Sequence, residues 1–229
     1  MSRKRSSLGH TLLNLLYIAI AIAVWQAIVV IFHVKEFVVP SPVAVFKCLF
    51  FTEKVAESTW WAHISTTLVE IIVSFAFTAA IGFLLAILIC WSKILRSLIM
   101  PIIEVLNSLP KIALAPLFLI WLGYGFKANV TIAIICAFFP IVLNTTVGLD
   151  SVDEDLLDFR YLNASKLQIF LKIRIPNSLP FVFSGLKVSA TMTVVGTIVG
   201  EFVASSKGLG YLIKDSQAMM NTPPMFAAL

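Results

Sequence analysis

The sequence predicts an all-α, polytopic membrane protein, and three observations carry that prediction. The 229 residues are 59% hydrophobic and only 13% charged, with a mean hydropathy of +0.97, whereas soluble domains carry about 25% charged residues. Several nearly uncharged runs reach the roughly 20 residues that an α-helix needs to cross a bilayer. The longest charged stretch, residues 150–179, lies between two such runs. The expected architecture is a single domain over residues 1–229, a helical bundle of about five spans plus the start of a sixth.

Taken in order, residues 11–32 form an uncharged run of about 22 residues, too long for a signal-peptide core and with no small-residue cleavage site after it. It reads as a retained first span. Arg3, Lys4 and Arg5 precede it, which places the N-terminus in the cytoplasm. Pro40-Ser41-Pro42 disfavours helix and then starts one, an amphipathic surface helix over 43–51. Trp60 and Trp61 mark re-entry into the bilayer. The second span, 64–91, carries one acid, Glu70, and many small residues suited to close helix contact.

The third span is irregular. Residues 98–125 hold Pro101, Pro110 and Pro116, and backbone broken by proline inside a membrane must be buried in protein or line a cavity. The crossing is expected at 112–122, with Glu104 pairing with Lys111. The fourth span is 128–149 and the fifth 180–203. Residues 205–224 read as an external loop, and the closing MFAAL as the first turns of a sixth span. This topology puts Lys93, Arg96, Arg160, Lys166, Lys172 and Arg174 inside with the N-terminal cluster. Fewer cations, Lys35, Lys47, Lys54, Lys127, Lys207 and Lys214, fall outside.

Composition also excludes function classes. The cations are scattered at membrane edges without interleaved aromatics, so lipid and not nucleic acid is the expected contact. Cys48, Cys90 and Cys136 lie far apart, and His10, His33 and His63 are isolated, so no metal site or catalytic residue is assigned. An integral-membrane enzyme would need convergent His, Asp or Cys at one membrane face. No phosphate-binding G-x-x-x-x-G-K-[ST] loop occurs, so no ATP or other cofactor is assigned to this chain.

The 150–179 loop has internal punctuation. Ser151-x-x-Glu154 reads as a capping box, Asn163 as a helix stop, and Ser165 as the cap of a second helix over 166–174. Pro176 and Pro180 are expected to end that helix and begin the fifth span. Pattern alone leaves two readings open: an amphipathic connector resting on lipid headgroups, or a docking element for another protein.

This loop resembles that of the permease subunits of ATP-binding-cassette importers, which read E-A-A-x-x-x-G, nine residues, then I-x-L-P. Asn163 falls at the Gly, Ile173 at the Ile, Ile175 at the Leu and Pro176 at the Pro, while Leu157, Asp158 and Phe159 stand at E-A-A. Further stretches are similar to the nitrate/sulfonate/taurine-type subgroup. They are Val39-Pro40-Ser41-Pro42, Ser108-Leu109-Pro110, Ala115-Pro116-Leu117-Phe118, Trp121-x-Gly123-x-Gly125, the 139–145 segment, Gly200-Glu201, and Gly208-Leu209-Gly210. Together they cover most of the chain from about Val38. Members of the subgroup continue through a sixth span and a short basic tail.

The resemblance implies a type I importer permease in a bacterial plasma (inner) membrane, acting as a homodimer. It also implies a separate ATP-binding subunit and a periplasmic or lipoprotein substrate-binding protein. The 150–179 loop would couple to the ATPase through Leu157, Asp158, Phe159, Tyr161, Asn163, Phe170, Ile173 and Pro176. Asn107, Asn144, Ser189 and Thr193 are the expected path residues, because polar groups inside a membrane are functional candidates by default. The alternatives are an ATPase-independent transporter or channel and a truncated, non-functional permease.

Overall fold

The computed structural model describes residues 3–55, 58–152 and 165–229, with side chains from residue 13 onward. The described residues are helical apart from short connections and one two-residue ladder. The chain forms two compact units: Met1–His63 with Leu212–Leu229, and Ile64–Tyr211.

In the first unit, α1 (Arg3–Ile31) supplies a 19-residue apolar stretch, Leu13–Ile31, none of which is buried within the chain. A surface with no polar face and little protein cover is suited to lipid. His33, at φ +48°, turns the chain out of the helix. Ser41 then caps α2 (Pro42–Phe51) by accepting from the Ala44 N–H at 3.1 Å, and Pro42 occupies the first turn, where its missing N–H costs nothing. Lys54–Val55 pairs antiparallel with Ser58–Thr59. The last helix, α10 (Thr222–Ala228), packs on α2, and the Thr222 hydroxyl donates to the Glu36 carbonyl at 2.7 Å. It begins with Pro223 and Pro224 in its first turn, three residues before the expected start at Met225.

The second unit is built on α3 (Trp60–Trp91), α4 (Lys93–Ser108), a 3₁₀ turn (Lys111–Leu114), α5 (Ala115–Leu122), α6 (Phe126–Asp150), α7 (Lys166–Ile169) and α8 (Ile175–Ala204). Helix α9 (Leu209–Ala218) follows α8 in the chain. The central pair is α6 and α8. Small residues let these backbones meet: a Cβ on Gly196 would lie 2.7 Å from Ala133 Cα, and one on Gly200 2.9 Å from Asn129 Cα. Around this pair, Ile89 of α3, Ile103 of α4 and Phe139, Ile141 and Val142 of α6 form the main apolar cluster. The expected break in the third span is present. The segments Lys93–Ser108 and Lys111–Leu122 meet at 84°, at Leu109-Pro110.

Two expectations are corrected. The helix over 166–174 does not stop at Pro176. It runs through a π turn (Phe170–Arg174) into α8, giving 39 helical residues from Lys166 to Ala204. The Ile175 N–H reaches back to the Phe170 carbonyl, and this widened turn accommodates the Pro176 ring and its missing donor. Residues 205–224, expected as an external loop, hold α9 and the start of α10.

By length and apolarity, four helices among the described residues can cross a membrane, five if the bent pair counts as one span. The fold is therefore an all-α, multi-pass membrane architecture.

Candidate functional site

The 39-residue helical run from Lys166 to Ala204 carries a candidate site at each end. At its first end, Ser165 and Gln168 make a reciprocal capping box: Gln168 N–H donates to Ser165 Oγ at 3.3 Å and Ser165 N–H to Gln168 Oε1 at 2.8 Å. This fixes the start of α7 without tertiary support. Ile169 and Phe170 turn inward, and the Phe170 ring meets Trp91 edge-to-face at 5.1 Å. Leu167 and Leu171, one turn apart, stay 54% and 52% exposed. Lys166, Gln168 and Lys172 are exposed beside them. Arg96 pairs with Asp150 at 2.7 Å where α6 ends, and Asn177 Nδ2 reaches Ser151 Oγ at 3.5 Å. The two ends of the 150–179 segment are thus held near each other.

At the other end of the run lies a buried polar cluster. Thr67 and Glu70 share a face of α3, three residues apart. The Thr67 hydroxyl donates to Glu201 Oε1 at 2.6 Å and accepts from the Leu209 N–H at 2.9 Å. Glu201 Oε2 accepts from the Gly210 N–H at 2.7 Å. Asn129 Nδ2 donates to Glu70 Oε1 at 2.9 Å. Glu70 and Glu201 are 1% and 0% exposed. Gly208 has φ +109°, and a Cβ there would overlap the Glu201 carboxyl, so only glycine lets the segment lie across it.

Of the expected coupling residues, Leu157, Asp158, Phe159, Tyr161 and Asn163 lie outside the described residues, as does the Glu154 end of the expected Ser151 capping box. Phe170 is buried, Ile173 half-buried, and Pro176 exposed in the first turn of α8. Of the expected path residues, Asn107 is exposed at the end of α4. Asn144 donates to the Pro140 carbonyl at 2.8 Å. Ser189 and Thr193 are buried, donating to the carbonyls of Ala137 and Ser189, both at 2.8 Å. The expected Glu104–Lys111 pair is replaced by another. Lys111 Nζ donates to Asn107 O at 2.6 Å and Asn107 Oδ1 at 3.1 Å, and sits 4.9 Å from the Phe139 ring centroid. α4 ends at Ser108 and the chain turns at Leu109-Pro110, so Lys111 reaches Asn107 in the last turn of α4 and not Glu104 further in. Sequence reasoning did not bring Thr67, Asn129 and Glu201 together. The available signal was the pair of acids, Glu70 and Glu201, each the only acid of its span.

Among the described residues, four or five helices long and apolar enough to cross a bilayer define a multi-pass membrane protein. Residues 78–229 match the model of binding-protein-dependent transport system inner membrane components, and the chain belongs to that family. It is similar to an ABC transporter permease protein of Haemophilus influenzae, 32% identical over 216 residues, covering 94% of this chain and 86% of that one. It is similar to a formylaminopyrimidine transport permease of Halalkalibacterium halodurans, 30% identical, covering 85% and 77%. A nitrate import permease of Synechocystis is 30% identical, covering 87% and 74%. The chain is thus a transport permease, the membrane subunit of an ABC importer, set in the inner membrane, and its family implies ATP-binding and substrate-binding partners.

Proposed function

We propose that two copies of this chain form a translocation path that opens alternately to the two sides of the membrane, driven by a separate ATPase that docks on the 150–179 loop. The observation that supports this best is the unbroken helix from Lys166 to Ala204, about 58 Å long. A push on its exposed first turn would be delivered along α8 toward the far end of the bundle. Leu167 and Leu171 are the apolar anchors, with Lys166 and Lys172 as charged rim. Phe170 and Ile173 back them from inside, Pro176 marks entry into α8, and Leu157, Asp158, Phe159, Tyr161 and Asn163 complete the loop. The positive charge at the N-terminus supports a cytoplasmic start.

The broken span and the exposed face of α8 form the walls of the path. Asn107 stands at the break. Ser184, Lys187 and Thr191 share one exposed face near the middle of α8, where an ammonium facing lipid would be costly. Asn144, Ser189 and Thr193 set the α6–α8 frame behind that face. The solutes are small anions or small organic molecules of the nitrate, sulfonate, taurine or vitamin-precursor kind, delivered by a periplasmic or lipoprotein binding protein.

The test is co-purification with the ATP-binding subunit. Leu167→Asp with Leu171→Asp changes two exposed side chains, so membrane insertion should persist while the ATPase is lost. Wild-type recovery of the ATPase with that variant would remove the loop from the coupling role.

A further inference from the structure

Two ammonium groups stand at one depth of the bundle, far from either end. The depth follows from what their neighbourhoods touch on α6. A Cβ on Gly185 would lie 3.3 Å from the Pro140 carbonyl oxygen and 3.0 Å from Asn144 Cβ. The Ser189 hydroxyl donates to the Ala137 carbonyl at 2.8 Å. Lys187 lies between Gly185 and Ser189 in the chain, so it stands at the level of residues 137–144. Lys111 Nζ is 4.9 Å from the Phe139 ring centroid, at that same level. Phe139 and Pro140 are near the middle of the 25-residue α6. Each edge of the hydrocarbon core is then about 15 Å away, farther than a lysine stem snorkels.

The face on which Lys187 stands is turned away from α6. Gly185, Ser189, Gly196 and Gly200 make the α6 contact, and Lys187 lies with Ser184 and Thr191 on the opposite, exposed side of α8. Among the described residues the Lys187 ammonium has no hydrogen bond or ion pair. An uncovered ammonium at mid-membrane belongs against water and not against acyl chains.

The groups at this depth are donors more than acceptors. Lys111 places two of its protons on Asn107 and keeps a third. Ser184, one turn before Lys187, adds an exposed hydroxyl. The acids of this unit among the described residues are Glu70, Glu104, Asp150 and Glu201. Asp150 is bridged to Arg96 where α6 ends. Glu70 and Glu201 are buried toward the other end of α6, near Asn129. Glu104 is exposed on α4 beside Ile103, which packs with Phe139, and Lys111 bonds Asn107 in preference to it. Two cations against one carboxylate leave a positive excess at this level.

We propose that Lys187 is the anion-binding group of the translocation path, and that with Lys111 at the same depth it makes the path prefer anions to cations; this rests on the reading of this α8 face as a path wall. The solute class is a small oxyanion, whose several acceptor oxygens match ammonium and hydroxyl donors. A lipid phosphate offers the same chemistry, so the test separates the two sources.

Ser184→Cys puts a thiol one turn from Lys187. The chain is assembled with its ATP-binding subunit in phosphatidylcholine nanodiscs without nucleotide. Modification is followed by peptide mass with two methanethiosulfonate reagents, one bearing a sulfonate and one a quaternary ammonium. With rates normalised to free cysteine, the sulfonate reagent should react about tenfold faster than the ammonium reagent. Lys187→Gln should remove most of that preference, Lys187→Arg should restore it, and Lys111→Gln should reduce it about threefold. Transfer to a phosphate-free detergent should leave it unchanged. A preference that survives Lys187→Gln would overturn the anion site and leave the path reading standing. So would a preference seen only in detergent, which would assign the ammonium to lipid phosphate. Modification by neither reagent would overturn the path reading and the site with it. Thr191→Cys, one turn beyond Lys187, gives the same comparison if Ser184→Cys does not assemble.

Discussion

The two ends of the Lys166–Ala204 helix invert each other's chemistry. At the Gly208–Gly210 end the polar groups are turned inward: Thr67 and Glu201 bond each other and the Leu209 and Gly210 N–H groups, and Asn129 bonds Glu70. At the Ser165 end, the cap is satisfied locally, and Leu167, Leu171 and the nearby cations are left with exposed surface. Hydrogen bonds made inside low-dielectric surroundings hold a chain to itself. Apolar side chains left uncovered beside charge are what a partner uses. The difference separates residues that set the protein's own stability from residues that set its assembly.

Substitutions sharpen that division. The largest stability loss is expected for Gly196→Leu, which drives a side chain into the Ala133 backbone. Thermal unfolding in detergent should register about 3 kcal/mol, at the upper end of overpacking costs. Gly208→Ala should follow at about 2 kcal/mol, from a positive φ and overlap with the Glu201 carboxyl, and the same scan measures it. Ser189→Ala removes one interhelical bond to Ala137 and should cost about 0.6 kcal/mol. Arg96→Ala breaks a partly exposed ion pair and should cost about 0.5 kcal/mol, vanishing in high salt. Leu171→Asp belongs at the bottom of the stability series, within about 0.5 kcal/mol of wild type, although it should strongly weaken recovery of the ATPase. A large unfolding penalty for Leu171→Asp would break the comparison, because that face would then be supporting the fold.

Much of this was legible in the sequence. Hydropathy located the spans because the bilayer demands length and apolarity together. Ser41 and Ser165 announced their caps, and Pro110 announced the break. The continuity through Pro176 was hidden because proline reads as a helix stop. It is tolerated in the first turn, and a π turn before it removes the clash that the rule assumes. The polar cluster was hidden for a different reason. Thr67 and Glu201 are 134 residues apart, and no local period links them. Ser189 and Thr193 stand out as polar groups within a span, but the sequence does not say which face of α8 meets α6. The glycines at 185, 196 and 200 share that face, and their spacing was the unused clue.

The central claim, that Lys166–Ala204 acts as one rod between the docking face and the buried Thr67–Glu201 cluster, has a direct test. Ser206 is exposed just beyond the rod and accepts a cysteine label. With the ATPase bound, ATP plus vanadate should change the labelling rate of Ser206→Cys in the otherwise intact chain. Two glycines inserted between Arg174 and Ile175 should leave the ATPase bound and hydrolysing yet abolish that change. An unaltered nucleotide response after the insertion would contradict the account.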